Sequence, residues 1–276
     1  MLSMVSLLFL SIPVGFLGAL TGLGGASILI PILVFLGIPV KEAIACGMAS
    51  IIATSSGSAS SYVREKIANV RVAMFLEMFT TIGAIAGATI TTLISPTLLY
   101  FFFAAFLATS FLKSKRTVSE SPPSSEWPDR MSRWLNLQGS YFDEVYQRRI
   151  DYKVTHPLWG GGGMLLAGLA AGMLGIGAGA FKVTVQENIL KLPPKVSSTT
   201  SNFIIGMTAL AGTSVYLYSG LLNLTLMGPM AVGTTLGAVL GGRVLNKMRN
   251  RTLRMLFIFI VAFLILQMVY KGVSSL

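Results

Sequence analysis

Apolar stretches separated by short polar breaks run along almost the whole chain. They cover Leu2–Leu20, Ala26–Ile38, Ala43–Val63, Val70–Ile94 and Thr97–Leu112, and, after one polar stretch, Pro157–Leu174, Ala178–Leu190, Val196–Tyr218, Leu221–Leu245 and Leu253–Tyr270. About 20 apolar residues carry a helix through the roughly 30 Å hydrocarbon core of a bilayer, so most of these segments predict transmembrane helices. The second member of each set, Ala26–Ile38 and Ala178–Leu190, is only 13 residues long and follows a glycine-rich break. Each set therefore opens with a broken or re-entrant helix pair, followed by three full transmembrane helices. Leu2–Leu20 lacks a basic leader and runs on into further apolar sequence, which predicts a retained span.

The two sets are copies of one another. Displacing the sequence by 154 positions without a gap brings Gly18 onto Gly172, Gly25 onto Gly179, Pro39 onto Pro193, Lys41 onto Lys195, Tyr62 onto Tyr216 and Asn69 onto Asn223, and lays Thr80–Gly87 over Thr234–Gly241. Apolar helices share a small alphabet, but chance does not pair Gly, Pro, Tyr and Asn from one end to the other. The repeat divides the chain into residues 1–112, a linker at 113–156, and residues 157–276.

Basic loops are retained in the cytoplasm. If the short segments do not cross, the loop around Arg64, Lys66 and Arg71 and the loop around Arg249 fall on opposite faces. If each short segment returns the chain, giving five passes per half, both loops, the central stretch, Lys191 and Lys195 share one face, and only Lys41 and Lys271 lie opposite. The second count fits the rule. An odd number of passes also inverts the second half relative to the first, as in many secondary transporters. The expected fold is an all-α polytopic membrane protein of two inverted-topology repeats, with both termini outside and the basic loops inside.

Composition agrees: 53% of the residues are hydrophobic and 11% charged, against about a quarter charged in soluble domains. The net charge of +11 invites a nucleic-acid reading, but the basic residues sit at membrane ends, as in Arg148–Arg149 and the cluster Arg243, Lys247, Arg249, Arg251 and Arg254. No nucleic-acid partner is expected. The lone Cys46 excludes an intramolecular disulfide. In the linker, the run Ser119–Ser125 with Pro122 and Pro123 suggests a flexible start. Met131, Trp134 and Leu135 recur at helical spacing, and Phe142, Ile150, Tyr152 and Val154 suggest a strand pair.

The candidate chemistry lies at the breaks. Gly22, Gly24 and Gly25, and Gly175, Gly177 and Gly179, each precede a short helix. Its first amide N–H groups lack partners within the helix and, with the helix dipole, offer a cradle for an anion. Two inverted breaks would aim both cradles at a common midplane site. Lys182 lies three residues past Gly179 in an apolar setting, where a cation needs a partner or a cavity; the alternatives are an anionic ligand and a pair with Glu187. The run Ser197–Asn202 supplies hydroxyl and amide donors, and Thr54–Ser61 is a similar run in the first half. Glu77 stands within a span with no evident partner and is a candidate for proton coupling; its counterpart is Ala231.

Gly22-Leu23-Gly24-Gly25-Ala26, Ile38-Pro39 leading to Ala43 and Ala45, and in the second half Gly175-Ile176-Gly177-Ala178-Gly179-Ala180-Phe181-Lys182-Val183, Pro193 and Thr200-Ser201-Asn202 resemble the sulfite exporter TauE/SafE family, from about Gly15 to Tyr270. The resemblance implies a permease for sulfite, sulfoacetate, other organosulfonates or related small sulfur-containing anions, commonly an exporter. The chain departs from the family's pattern where Ala26 and Ala178 replace a third glycine, and where Cys46-Gly47-Met48 replaces the first-half Thr-Ser element. The expected substrate-binding residues are Gly24, Gly25, Ala26, Ser27, Gly177, Ala178, Gly179, Lys182, Thr200, Ser201 and Asn202.

An enzyme is not expected. There is no HExxH pair, the single histidine, His156, lies in the linker before Pro157, and no Walker A sequence appears. No catalytic residue, metal or cofactor is therefore assigned. The expected partners are a small sulfur-containing anion and the lipid bilayer of the inner cell membrane. A passive anion channel and a homodimer are both left open by the sequence.

Overall fold

The computed structural model describes residues 4–21, 25–64, 68–115, 130–143, 147–245, 262–263 and 265–274. The first half forms α1 (Met4–Thr21), α2 (Ala26–Phe35), α3 (Val40–Arg64), α4 (Val70–Leu93) and α5 (Pro96–Lys115). The linker carries α6 (Arg130–Trp134) and an antiparallel pair, β1 (Gly139–Asp143) and β2 (Arg148–Tyr152), in which Tyr141 faces Ile150. The second half forms α7 (Pro157–Leu174), α8 (Gly179–Asn188), α9 (Pro194–Tyr218) and α10 (Leu224–Leu245), with further helix at 265–274. The architecture is that of a helical membrane protein. The linker helix and strand pair form where hydrophobic spacing predicts them.

Among the described residues, α4, α7 and residues 224–241 of α10 are long and apolar enough to cross a bilayer. The equally long α3 and α9 fall short because they carry serine and threonine in quantity, and they tolerate this because they are central. α3 packs on α2, α9 and α10, and α9 on α3, α4 and α8. Ala43–Ile51 of α3 is buried without interruption.

The helix bounds correct the register of the repeat. α7 and α8 follow α1 and α2 at a displacement of 153, not 154; α9 follows α3, and the start of α10 follows that of α4, at 154. The connection between α8 and α9 is one residue longer than that between α2 and α3, and Lys191 within it takes the left-handed φ of +58°. Gly15 is thus equivalent to Gly168, and Gly25 to Ala178. Glycine-rich helices match almost equally well one residue out of step, which conceals the offset in the sequence.

Packing crosses between the halves. α1 lies on α10, and α7 lies on α4. Gly15 meets the Thr234 carbonyl and Gly237 the Ile12 carbonyl; equivalently, Gly168 meets the Thr80 carbonyl and Gly83 the Leu165 carbonyl. A Cβ at any of these glycines would collide with backbone, so the absence of a side chain sets the helix separation. Gly83 meets Leu165 and Gly87 meets Leu169, so α4 and α7 run parallel. By contrast, Met48 lies against Gly212 while Ser55 lies against Gly206 and donates to the Asn202 carbonyl at 2.6 Å, so α3 and α9 run antiparallel.

One core gathers α1, α2, α3 and parts of α5, α9 and α10. A second joins α4, α7, α8 and α9 to the linker through Leu137, Tyr141, Tyr152 and Val154. Asn69, the cap of α4, ties this arrangement: its side chain accepts from Val72 N and donates to the Leu137 carbonyl and the Tyr152 hydroxyl, both at 2.9 Å. Burial raises the Tyr152 phenol above its ordinary range, so it serves Asn69 as a neutral acceptor.

Candidate functional site

The second-half break is built as its glycines suggest. α7 ends at Gly175 (φ +67°), Gly177 follows at φ +70°, and Ala178, at φ +50°, caps α8 from the left-handed region. The Ala178 carbonyl accepts from Phe181 N and Lys182 N at 3.1 and 3.0 Å, which closes the first turn of α8. Gly177 lies against Ile51 and Ile205, which are equivalent residues of the two halves, so this break reaches the boundary between them. Gly179 and Ala178 are buried, and Ser201 Oγ donates to the Gly179 carbonyl at 3.4 Å.

The first-half break is different. Gly22 and Gly24 lie outside the described residues. Gly25 has an ordinary right-handed backbone (φ −54°), and its carbonyl accepts from Ile28 N and Leu29 N, as Ala178 does for α8. Its nearest neighbours are backbone atoms of Gly15 and Val14. A Cβ here would sit in ordinary contact with α1, 3.5 Å from the Gly15 Cα, so neither torsion nor space demands glycine at this position. Ala26 and Ser27 are buried in the first turn of α2.

Lys182 does not pair with Glu187. It is wholly buried, and its Nζ donates to Thr208 Oγ1 at 2.8 Å. That hydroxyl lies 3.3 and 3.4 Å from the two carboxylate oxygens of Glu77, which also accept from Thr80 at 3.1 Å and Thr81 at 2.7 Å. Glu77, expected to stand without a partner, is therefore held by three threonines and joined to Lys182 through one of them. The arrangement draws on α4, α8 and α9, one helix from the first half and two from the second. The equivalent residues in the other half are Leu29, Thr54 and Ala231, so the threonine recurs and both charges are missing.

In the Thr200-Ser201-Asn202 element, about two turns before Thr208 on α9, Thr200 and Ser201 are buried and Asn202 is half-buried, and their hydrogen bonds are structural in part. Thr200 Oγ1 accepts from Asn69 N at 3.1 Å, and the Asn202 carbonyl accepts from Ser55. In the first half, Cys46 Sγ approaches the Asn223 carbonyl at 3.7 Å, the counterpart of the Thr200–Asn69 contact. Gly47, opposite Ala26, takes the place of Ser201. Ser56 bonds the Ile52 carbonyl of its own helix, while the side chains of Ser58, Ser60 and Ser61 lie outside the described residues. Among the described residues, the polar groups gathered around Lys182 come from α4, α8 and α9.

Sequence reasoning passed over two residues. Thr208 bridges the charges but looks like one more helix threonine. Gln186 follows Lys182 at the i+4 position, on the same face of α8; it is wholly buried, and neither amide atom has a partner among the described residues. Its spacing from Lys182 in so short an apolar helix was the available signal.

Comparison with known proteins agrees with this architecture. The family model described as "Sulfite exporter TauE/SafE" matches residues 7–268. "Probable membrane transporter protein YunE" of Bacillus subtilis (strain 168) is 23% identical over 282 residues, covering 99% of this chain and 100% of the relative. "Probable membrane transporter protein YdhB" of the same organism is 26% identical over 264 residues, covering 92% and 94%. No solved structure matches. With a family match over nearly its whole length and helices suited to a bilayer, the chain is a multi-pass membrane transporter, not an enzyme, and belongs to the sulfite exporter TauE/SafE family.

Proposed function

We propose that the protein exports small sulfur-containing anions, such as sulfite, sulfoacetate or other organosulfonates, across the cell membrane, binding them between two inverted repeats near the midplane. The repeats are residues 1–112 and 157–276, with 113–156 as a cytoplasmic linker. Inversion is supported by direction: the equivalent helices α3 and α9 run antiparallel, as a two-fold axis in the membrane plane requires. The observation that carries the anion reading is Lys182, a lysine with no exposure in the first turn of a broken helix. Gln186, one turn on, offers an amide with no partner among the described residues. Ser201, Thr200, Asn202 and the backbone of Gly177–Gly179 complete this half of the site; Gly25, Ala26 and Ser27 are the residues assigned to its less polar first-half wall, and Gly24, also expected there, lies outside the described residues.

The test is a thermal-shift screen of purified protein against sulfite, thiosulfate, sulfoacetate, taurine, sulfate and carboxylates. Ligand that binds only the folded state raises stability with occupancy, by about 2.7 kcal/mol at one hundred times Kd. Stabilisation by sulfur oxyanions over carboxylates is expected. Equal response to all, or to none, would defeat the assignment. Efflux from proteoliposomes against a gradient then separates an exporter from a passive channel.

A further inference from the structure

We propose that Lys182, Thr208 and Glu77 form a charge switch that brings one proton into the protein with each singly charged anion. This rests on the reading of Lys182 as the anion's partner. The Thr208 hydroxyl carries one proton and has two acceptors within reach, the Glu77 carboxylate at 3.3 Å and the Ile204 carbonyl at 2.7 Å, so it serves one at a time. In the empty site, Lys182 donates to Thr208 Oγ1 and Thr208 donates to Glu77, and the two charges sum to zero.

An anion that takes Lys182 for itself would leave the Glu77 carboxylate as an uncompensated charge inside the bilayer, which the low-dielectric surroundings strongly disfavour. Protonation removes it. A hydronium O–H bond breaks, leaving water, and an O–H bond forms on a Glu77 oxygen. Glu77 then donates to Thr208 Oγ1, whose own proton turns to the Ile204 carbonyl, and Lys182 is released to the anion. Charge is zero before and after. A dianion would leave one negative charge behind, so the switch selects single charge and makes transport electroneutral.

Among the described residues, no other titratable group takes this part. α7 has none. On α8, Glu187 is five residues past Lys182, about 140° away around the helix. On α9, Lys195 is exposed near the start of the helix, Tyr216 donates to the Gly172 carbonyl, and Tyr218 is exposed at the end. Arg71, on α4 itself, is exposed and donates to the Asn136 carbonyl. On α3, Lys41 donates to the Thr92 carbonyl at the far end of α4, and Glu42 lies near Asn223. Because Leu29 and Ala231 replace the charges in the other half, the switch occurs once per chain.

The test uses full-length protein in proteoliposomes with a pH-sensitive dye, and methanesulfonate, sulfite and sulfate as probes. An imposed pH gradient should drive methanesulfonate accumulation with one proton per anion, a potassium–valinomycin potential should change the rate less than about twofold, and sulfate should move at least about tenfold more slowly. In Glu77→Gln, which imitates the protonated acid, the methanesulfonate flux that remains should no longer respond to the pH gradient. Thr208→Val, which removes the bridging oxygen, should lower the proton-to-anion ratio below one and provides a second measure if Glu77→Gln does not fold. Wild-type flux of methanesulfonate without proton uptake, or Glu77→Gln flux that still follows the pH gradient, overturns the switch and leaves the anion reading standing. A wild-type protein that moves neither methanesulfonate nor sulfite overturns both.

Discussion

The backbone N–H of Asn69 donates to Thr200 Oγ1 at 3.1 Å, joining the cap of α4 to the polar element of α9. The same asparagine holds the linker by its side chain. Asn69→Ala should therefore cost about 1 kcal/mol for the lost cap and rather more in total, because the linker bonds go with it. A lower melting temperature together with faster proteolysis at residues 130–156 is expected; the cap alone would give only the first.

Lys182→Met keeps the volume of the stem and removes the charge. Anion affinity should fall at least about tenfold, since a hydrogen bond to a charged group is worth roughly 1.5–3 kcal/mol. Isothermal titration with sulfite measures it. Affinity within twofold of wild type would make the lysine a structural partner of Thr208 and Glu77 only.

Gly168→Ala and Gly237→Ala should each destabilise the protein by about 1–3 kcal/mol or more, because the new methyl group meets backbone carbonyls of the neighbouring helix. Gly162→Ala is the control: nothing lies within 4 Å of its Cβ position, so that change should be neutral or slightly stabilising. Thermal unfolding in detergent reads all three.

Gly177→Ala should impair function more than Gly25→Ala. The first forces a side chain into the left-handed region, at a cost of about 1–2 kcal/mol, and presses on Ile205; the second keeps an ordinary backbone and adds a contact at 3.5 Å. Proteoliposome flux at equal protein content compares them, and equal loss would remove the distinction drawn between the breaks.

In a Cys46→Ser background, cysteines placed at positions 71, 149 and 195 should react with a membrane-impermeant maleimide from the cytoplasmic face, and cysteines at 41 and 219 from the other. Labelling of 71 and 195 from opposite faces would contradict inversion. Cys46 is buried, so its replacement leaves the outer surface unchanged.

The helices were legible because apolar length and punctuation agree. α7 begins at Pro157 and ends before Gly175, both evident in the sequence. Lys182 stood out in the sequence too, as an isolated cation in an apolar run. Its partner did not. Glu77 is 105 positions earlier, in the other half, and a comparison of repeats detects what is duplicated, whereas this pair occurs once. The first-half serine run is harder to read from sequence: a hydroxyl in a helix readily bonds its own backbone, as Ser56 does, and composition cannot tell that use from a binding role.

The crossed packing of the halves also bears on how the protein is made. α1 leaves the ribosome well before the helix it lies on, α10, which begins about 200 residues later. At roughly 5–20 residues per second, α1 waits on the order of 10–40 s before its partner exists. During that interval its glycine-bearing face has only lipid or transient helper proteins for company. Neither half can complete its own contacts by itself, so the nascent first repeat is an unfinished object, and assembly is decided near the end of synthesis rather than helix by helix.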